Sequence, residues 1–162
     1  MTIKDFNPLN KTFLFRFSAD DCSLCNGKQC PVESLLDVRT CSDTDMHIND
    51  GEESNSCMHF ATEFIKYRRL DFNPIIIKHK GCNHYTFIDG QHRTCVYSRL
   101  LRKGWSVHMD IEKIEDDNLC SICTEFKKRT HDNTTGFEVS GIAKKELWEK
   151  ILHDNEMVEI KF

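Results

Sequence analysis

The run Asp89-Gly90-Gln91-His92-Arg93 carries the side chains of this sequence whose types and spacing best fit chemistry. It stands between a strand-like run and a helical one. The first turn of a helix presents backbone N–H groups and the positive end of the helix dipole, which together attract anions. Gln91, His92 and Arg93 on that turn can surround a phosphate, and Arg93 can bind two of its oxygens at once. We therefore predict that residues 90–93 bind phosphate.

Asp89 and Gly90 have separate predicted roles in this site. Gly90 lets the backbone turn sharply and lets a ligand come close. Asp89 brings a negative charge, so it either caps the helix, holds Arg93 or His92, or binds a magnesium ion that accompanies a nucleotide. The alternative interpretation is that Asp89 is only an N-cap and Gly90 only a tight turn, because Asp-Gly before a helix is common.

The hydrophobic pattern predicts the elements that position this run. Strands are predicted from period-two alternation or β-branched runs, and helices from apolar residues spaced three and four apart. Residues 105–111 give the clearest alternation in the chain. The predicted strands are 13–17, 74–78, 85–88, 105–111 and an edge strand within 157–162, and the predicted helices are 32–38, 56 to about 70, 91–103 and one marked by Ile142, Leu147, Trp148 and Ile151.

Length and composition restrict the class of protein. The 162 residues predict a single domain, and 30% charged residues with two polar stretches predict a normal core with polar insertions. The net charge of −4 provides no global basic field for non-specific DNA binding. No apolar run reaches membrane-spanning length and the N-terminus has no signal-peptide layout, so we predict a cytoplasmic protein without membrane contact.

In a reducing compartment the nine cysteines are expected to be thiols or metal ligands. The spacing of four of them predicts a metal site. Cys22 and Cys25 form one CxxC pair in a polar loop, and Cys120 and Cys123 form another. If the loops meet, the four thiolates can close a tetrahedral zinc site. An iron–sulfur cluster uses the same ligand type and is the less favoured alternative.

Other cysteines and the histidines leave further alternatives. Cys30 and Cys41 extend the N-terminal spacing, so that loop alone is a second candidate for holding the metal. Cys57 and Cys95 lie on predicted helices and fit buried apolar thiols. His79 and His84 flank the predicted hairpin turn, where we expect solvated side chains.

The stretch NPIIIKHKGCNHYTFIDGQHRTCVYSRLLRKGWSVHMDI resembles the core of the ParB/sulfiredoxin-like superfamily. The shared order is a helix, a Pro-Ile-type strand, a turn, a strand that ends in the Asp-Gly-x-His-Arg pattern, a helix and another strand. The resemblance covers about residues 57–111. It implies an α+β fold with a small mixed sheet flanked by helices. The rest of the single domain is then a cysteine-rich N-terminal loop at 20–56 and a C-terminal extension at 112–162.

The resemblance also implies a function. Members bind a nucleoside triphosphate or diphosphate with this motif against the phosphates; they include partition proteins that hydrolyse CTP, sulfiredoxins that use ATP and kinases that phosphorylate free serine. The implied cofactor is ATP or CTP with magnesium. Asp89 and His92 would be catalytic, together with an upstream acid that acts as base, with Glu33 the first choice. Further upstream candidates for that acid are Asp50, Glu52 and Glu53.

Two departures from the family pattern narrow this expectation. Gln91 stands where sulfiredoxins carry their catalytic cysteine, so sulfiredoxin chemistry is not expected. The chain after Ile111 shows no helix-turn-helix pair, which makes DNA a weaker candidate partner than a nucleotide. The predicted function is phosphoryl hydrolysis or transfer to a small-molecule or protein acceptor. The alternative is a regulatory module that senses a nucleotide, or binds nucleic acid or protein, without turnover and carries a structural metal.

Overall fold

The computed structural model describes residues 1–16, 30–38, 56–70, 72–131 and 141–162. The elements in these ranges form a mixed α+β fold, which confirms the predicted class at that level. In chain order they are β1 (Thr2–Ile3), β2 (Thr12–Arg16), α1 (Pro31–Val38), α2 (Ser56–Tyr67), β3 (Ile75–His79), β4 (His84–Asp89), α3 (Gln91–Arg102), β5 (Ile111–Asp116), α4 (Ser121–His131), α5 (Gly141–Asp154) and β6 (Met157–Lys161).

One six-stranded sheet runs through the described part of the chain, in the order β1-β5-β3-β4-β2-β6. β3 and β4 form the predicted antiparallel hairpin, while β2 pairs with β4 and β5 pairs with β3 in parallel. β1 and β6 close the two edges with antiparallel pairing. The predicted edge strand near the C-terminus is therefore confirmed. Strands from both ends of the chain complete the sheet around the central hairpin.

Helices cover both faces of this sheet. Successive side chains of a strand point to opposite faces, and β2 shows the result. Phe13 and Phe15 join the main core with α1, α2 and α3, whereas Leu14 packs with Cys120, Ile122 and other residues of α4 and α5. The fold thus has three layers, with two apolar clusters separated by the sheet.

The prediction of a strand at residues 105–111 is wrong in its pairing. β5 begins only at Ile111, and the preceding segment has one isolated bridge between His108 and Arg69. The alternation nevertheless described the burial of the apolar residues, because Trp105, Val107 and Met109 are all buried in the main core, although Asp110 between them and β5 is buried too. An alternation of apolar and polar residues indicates which side chains face the core. It does not indicate whether the backbone is hydrogen-bonded to a neighbouring strand.

No helix in the described ranges is long and apolar enough to span a membrane.

Candidate functional site

A cleft of about 1150 Å³ lies where β4 ends and α3 begins, beside α2. All five residues of the predicted motif line it, so the structure brings the predicted phosphate-binding residues together. Among the described residues, three arginines and two carboxylates line the cleft. The described lining is Arg16, Phe60, Glu63, Tyr67, Arg69, Leu70, Phe72, Asn73, Phe87, Ile88, Asp89, Gly90, Gln91, His92 and Arg93.

The start of α3 differs from the predicted Asp89 cap. The N-cap residue is Gly90, in a left-handed conformation with φ of 84°, and in the described structure no side chain gives this helix a capping hydrogen bond. Asp89 is the last residue of β4. Its Oδ1 accepts a hydrogen bond from the Gly90 N–H at 2.6 Å, and its Oδ2 pairs with Arg93 Nη2 at 2.6 Å. In the described structure the Gly90 N-cap therefore gives no side-chain bond to the N–H groups of the first turn, while the Asp89 carboxylate stands at the helix start.

Gly90 is required for packing as well as for the turn. A Cβ at this position would lie 2.5 Å from Pro74 Cβ and 2.8 Å from Pro74 Cα. Its positive φ also favours glycine. The predicted role in the turn agrees with this geometry. The predicted close approach of a ligand does not explain the missing side chain, because Pro74 occupies that space.

Two contacts orient Arg93 at the edge of the cleft. Its Nη1 donates to the Phe72 carbonyl at 2.9 Å, and its Nη2 pairs with Asp89. Only 12% of the Arg93 side chain is exposed, against 64% of the Asp89 side chain. Of the predicted roles for Asp89, holding Arg93 is the one that this geometry displays. The guanidinium thus stands in the cleft wall in a fixed orientation.

The other two polar residues of the motif contact different elements. The Gln91 side-chain amide is bonded to the backbone of Arg16 at the end of β2. His92 Nδ1 lies 3.3 Å from Cys57 Sγ at the start of α2. Cys57 is half-buried, so it is less enclosed than the apolar thiol we predicted. Cys95 is buried, as predicted, and its sulfur accepts a hydrogen bond from Arg99.

Of the predicted upstream acids only Glu33 lies in the described ranges, and it does not line the cleft. Glu33 forms an ion pair with the buried Arg99, between α1 and α3. Asp50, Glu52 and Glu53 lie outside the described residues. Glu63 of α2, which was not among the predicted acids, does line the cleft. Its signal was the helical spacing from Phe60 and to Tyr67, which line the same wall.

A second group of side chains lies on the opposite face of the sheet. Cys82, His84, Cys120 and Cys123 bring one ligand atom each to within 4.8 Å of one another, an arrangement that could hold a metal ion. Cys82 and His84 come from the β3–β4 turn and the start of β4, while Cys120 immediately precedes α4 and Cys123 lies in its first turn. His84 Nδ1 lies 3.2 Å from Cys123 Sγ, and its Nε2 lies 3.0 Å from Glu159 Oε1 of β6.

Hydrogen bonds within this cluster shift several pKa values. Contacts with Cys120 and then Glu159 raise the pKa of His84 to about 10. Burial raises the pKa of Cys120, but its hydrogen bonds with His84 and with the Cys123 N–H lower it to about 7 overall. Burial and then the neighbouring Cys120 sulfur raise the pKa of Cys123. The cluster therefore favours one thiolate beside an imidazolium and disfavours a second negative sulfur until a cation is present.

The predicted metal ligands are found in part. Cys120 and Cys123 belong to the cluster, whereas Cys22 and Cys25 lie outside the described residues, as does Cys41 of the alternative set. Cys82 and His84 were missed. The sequence signal for them was the Cys-x-His spacing inside the hairpin turn, which places both side chains near one point.

The prediction that His79 and His84 are solvated is wrong. His79 is 8% exposed and contacts Asp116 and Thr86 through its two ring nitrogens. His84 is half-buried and stacks against Trp148 at 5.7 Å between ring centroids. His79 is held by side chains of the neighbouring strands β5 and β4, and His84 by Trp148 of α5 and Glu159 of β6.

Comparison with models of protein families, with curated proteins and with solved structures gives no match. The resemblance to the ParB/sulfiredoxin-like superfamily therefore stays a prediction.

Proposed function

We propose that the cleft at the start of α3 binds a nucleotide through its phosphates and that the protein hydrolyses or transfers the terminal phosphoryl group. One observation supports this proposal above the others: α3 begins inside the cleft with no capping side chain. The N–H groups at a helix start and the helix dipole favour an anion there. A cleft of about 1150 Å³ also has room for a base and a sugar beyond the phosphates.

The charges around the helix start fit a phosphate chain. Arg93 is already oriented by Phe72 and Asp89, so little of its side-chain freedom has to be lost when it binds an oxygen. Arg16 is exposed and lines the same cleft beside Gln91. Asp89 is the carboxylate of the motif, so it is our candidate for orienting magnesium. His92 would lie beside the phosphates. Positioning and charge neutralisation carry most of the catalysis in phosphoryl transfer.

Glu63 is the acid in the described lining that we assign as base toward water or an acceptor hydroxyl. Its side chain is 37% exposed and lies on α2, across from the motif helix. Glu33 is a weaker candidate because its carboxylate neutralises Arg99 elsewhere. The acceptor class stays as predicted, a small molecule or a protein.

Calorimetric titration of the full chain with CTP and with ATP, each with magnesium, tests binding. We expect Arg93→Ala to weaken the affinity, because loss of a charge-assisted bond costs about 1.5–3 kcal/mol. Arg102→Ala is the matched control: it removes an exposed arginine from the last turn of the same helix. Equal affinities for wild type, Arg93→Ala and Arg102→Ala would contradict the assignment of the site.

The second candidate function is nucleotide sensing without turnover. The observation that favours it is the position of Glu33, which is committed to Arg99 instead of the cleft. Phosphate release during incubation with ATP or CTP and magnesium separates the two functions. Steady release that Glu63→Gln lowers supports the enzyme. Binding with no release supports the sensing module.

A further inference from the structure

We propose that Cys82, His84, Cys120 and Cys123 form a structural zinc site that fastens the layer of α4, α5 and β6 to the central hairpin. This site is separate from the cleft, because it lies on the opposite face of the sheet. Three thiol groups and one imidazole are a ligand set typical of tetrahedral zinc in proteins. Four protein ligands leave no open position for a substrate, which makes the site structural and not catalytic.

The spacing of the ligand atoms fits a tetrahedron of zinc size. Bonds of about 2.3 Å to sulfur and about 2.0–2.1 Å to nitrogen place sulfur atoms about 3.8 Å apart, and nitrogen about 3.6 Å from each sulfur. The four atoms here all lie within 4.8 Å of one another. His84 Nδ1 lies 3.2 Å from Cys123 Sγ and 3.8 Å from Cys120 Sγ. Small adjustments in both directions around these distances bring the four atoms to the spacing of a zinc tetrahedron.

Backbone hydrogen bonds already point at the sulfur atoms. The Cys120 N–H donates to Cys82 Sγ at 3.4 Å, and the Cys123 N–H donates to Cys120 Sγ at 3.4 Å. Such bonds stabilise the thiolate form that a metal requires. The bond from the Cys120 N–H to Cys82 also joins the two halves of the ligand set, because Cys82 comes from the hairpin turn and Cys120 precedes α4.

Glu159 orients the histidine ligand. Its carboxylate accepts a hydrogen bond from His84 Nε2 at 3.0 Å, so Nδ1 is the ring nitrogen that would give up its proton and bind the metal. The same carboxylate accepts a hydrogen bond from Trp148 Nε1 at 3.2 Å. Because Glu159 lies on β6 and Trp148 on α5, the metal site is coupled to the elements that cover this face of the sheet. Removal of zinc should therefore loosen α4, α5 and β6 before the main core.

Native mass spectrometry and elemental analysis of the full chain, purified without chelator, test the proposal. We expect one zinc per chain in the wild type and none in Cys82→Ser plus Cys120→Ser. Cys57→Ser is the matched control, since it removes a half-buried thiol on the other face and should keep one zinc. A folded wild type that neither contains nor takes up zinc would overturn the proposal. So would a folded double variant that keeps its metal, or bound iron with visible absorbance.

A milder pair of variants covers the case in which the double variant does not fold. Glu159→Gln should weaken zinc affinity roughly tenfold to a hundredfold, because partners of a ligating histidine have effects of this size. Glu156→Gln, an exposed change three residues away, should leave the affinity unchanged. Competition with a coloured zinc chelator gives both affinities, and cobalt substitution should give the absorption bands of a tetrahedral thiolate site. Identical zinc affinities in the two variants, or octahedral cobalt bands, would overturn the assigned geometry.

Discussion

The side-chain amide of Gln91 forms two hydrogen bonds with the backbone of Arg16. Nε2 donates to the Arg16 carbonyl at 2.5 Å, and Oε1 accepts from the Arg16 N–H at 3.0 Å. This pair continues the contact between β2 and β4 beyond their last parallel partners, Phe13 and Tyr85. It joins the first residue of α3 to the sheet, so it positions the helix start that opens into the cleft.

Gln91→Ala should therefore lower stability as well as any ligand affinity. Two hydrogen bonds of ordinary net strength predict a loss of about 1–2 kcal/mol in the free energy of unfolding. Urea denaturation measures this loss. Gln91→Glu is the informative comparison, because it keeps the acceptor and removes the donor. If Gln91→Ala has wild-type stability but does not bind nucleotide, the amide serves the ligand and not Arg16.

Gly90→Ala should be much more destabilising than Gly104→Ala. The two glycines have nearly the same φ, 84° and 82°, so an alanine meets a similar backbone strain of about 1–2 kcal/mol at each. A Cβ at residue 104 meets nothing within 4 Å, whereas at residue 90 it collides with Pro74. Overpacking adds about 1–3 kcal/mol for Gly90→Ala. Thermal unfolding of both variants isolates the packing cost, and equal losses would contradict the close contact.

Glu33→Gln should affect stability and leave phosphoryl chemistry nearly unchanged. Arg99 has only 7% of its side chain exposed and loses its counter-charge in this variant. The expected loss is roughly 1–2 kcal/mol, less than for a fully buried pair because 37% of the Glu33 side chain is exposed. Urea denaturation and phosphate release are measured on the same preparation. Full stability with lost phosphate release would restore Glu33 as the catalytic base.

Asp110 should make the protein sensitive to acid. The Asp5 N–H, Lys4 and Arg69 hold the pKa of Asp110 well below its usual range. A lowered folded-state pKa stabilises the protein above the unfolded-state pKa of about 3.9, and this contribution is lost as the pH falls toward the folded-state value.

Asp110→Asn should accordingly be less stable than wild type at pH 7, and the difference should shrink below about pH 4. Urea denaturation at pH 7 and pH 3 measures both differences. Asp117→Asn is the control, because Asp117 is 85% exposed and pairs only at the surface with Lys80. A difference for Asp110→Asn that does not change with pH would show that packing, not charge, dominates at this position.

Local patterns predicted most of the elements, because helix and strand periodicity report which side chains face the core. The hairpin of β3 and β4, the helix that follows it and the edge strand β6 all followed from such patterns. β5 was missed because Ile114 is 43% exposed and its neighbours are charged, so this strand lacks the expected apolar alternation. Its backbone is nevertheless paired with both β3 and β1.

The site residues also include some that local patterns predicted and some that they did not. The motif at 89–93 is contiguous, so its meeting in one cleft follows from the order of strand, glycine and helix. The metal cluster joins Cys82 and His84 to Cys120 and Cys123, which are far apart in the chain. Their meeting depends on how α4 folds back under the hairpin, and no local pattern encodes that packing. Glu63 was missed because its place in the cleft wall depends on how α2 packs beside α3.

β2 has side chains in both apolar clusters, and its position between them should affect its amide hydrogen exchange. A strand amide exchanges only when its hydrogen bond to the neighbouring strand opens. Separate cooperative units of a protein open with separate free energies. If chelation of zinc releases the α4–α5–β6 layer, protection factors in α4 and α5 should fall first. The amides that link β2 to β6 should follow them, while those of α2 and α3 keep slow exchange. Leu14 and Phe15 both pair with β6, so release of β6 would open this strand even though the Phe15 side chain packs in the main core.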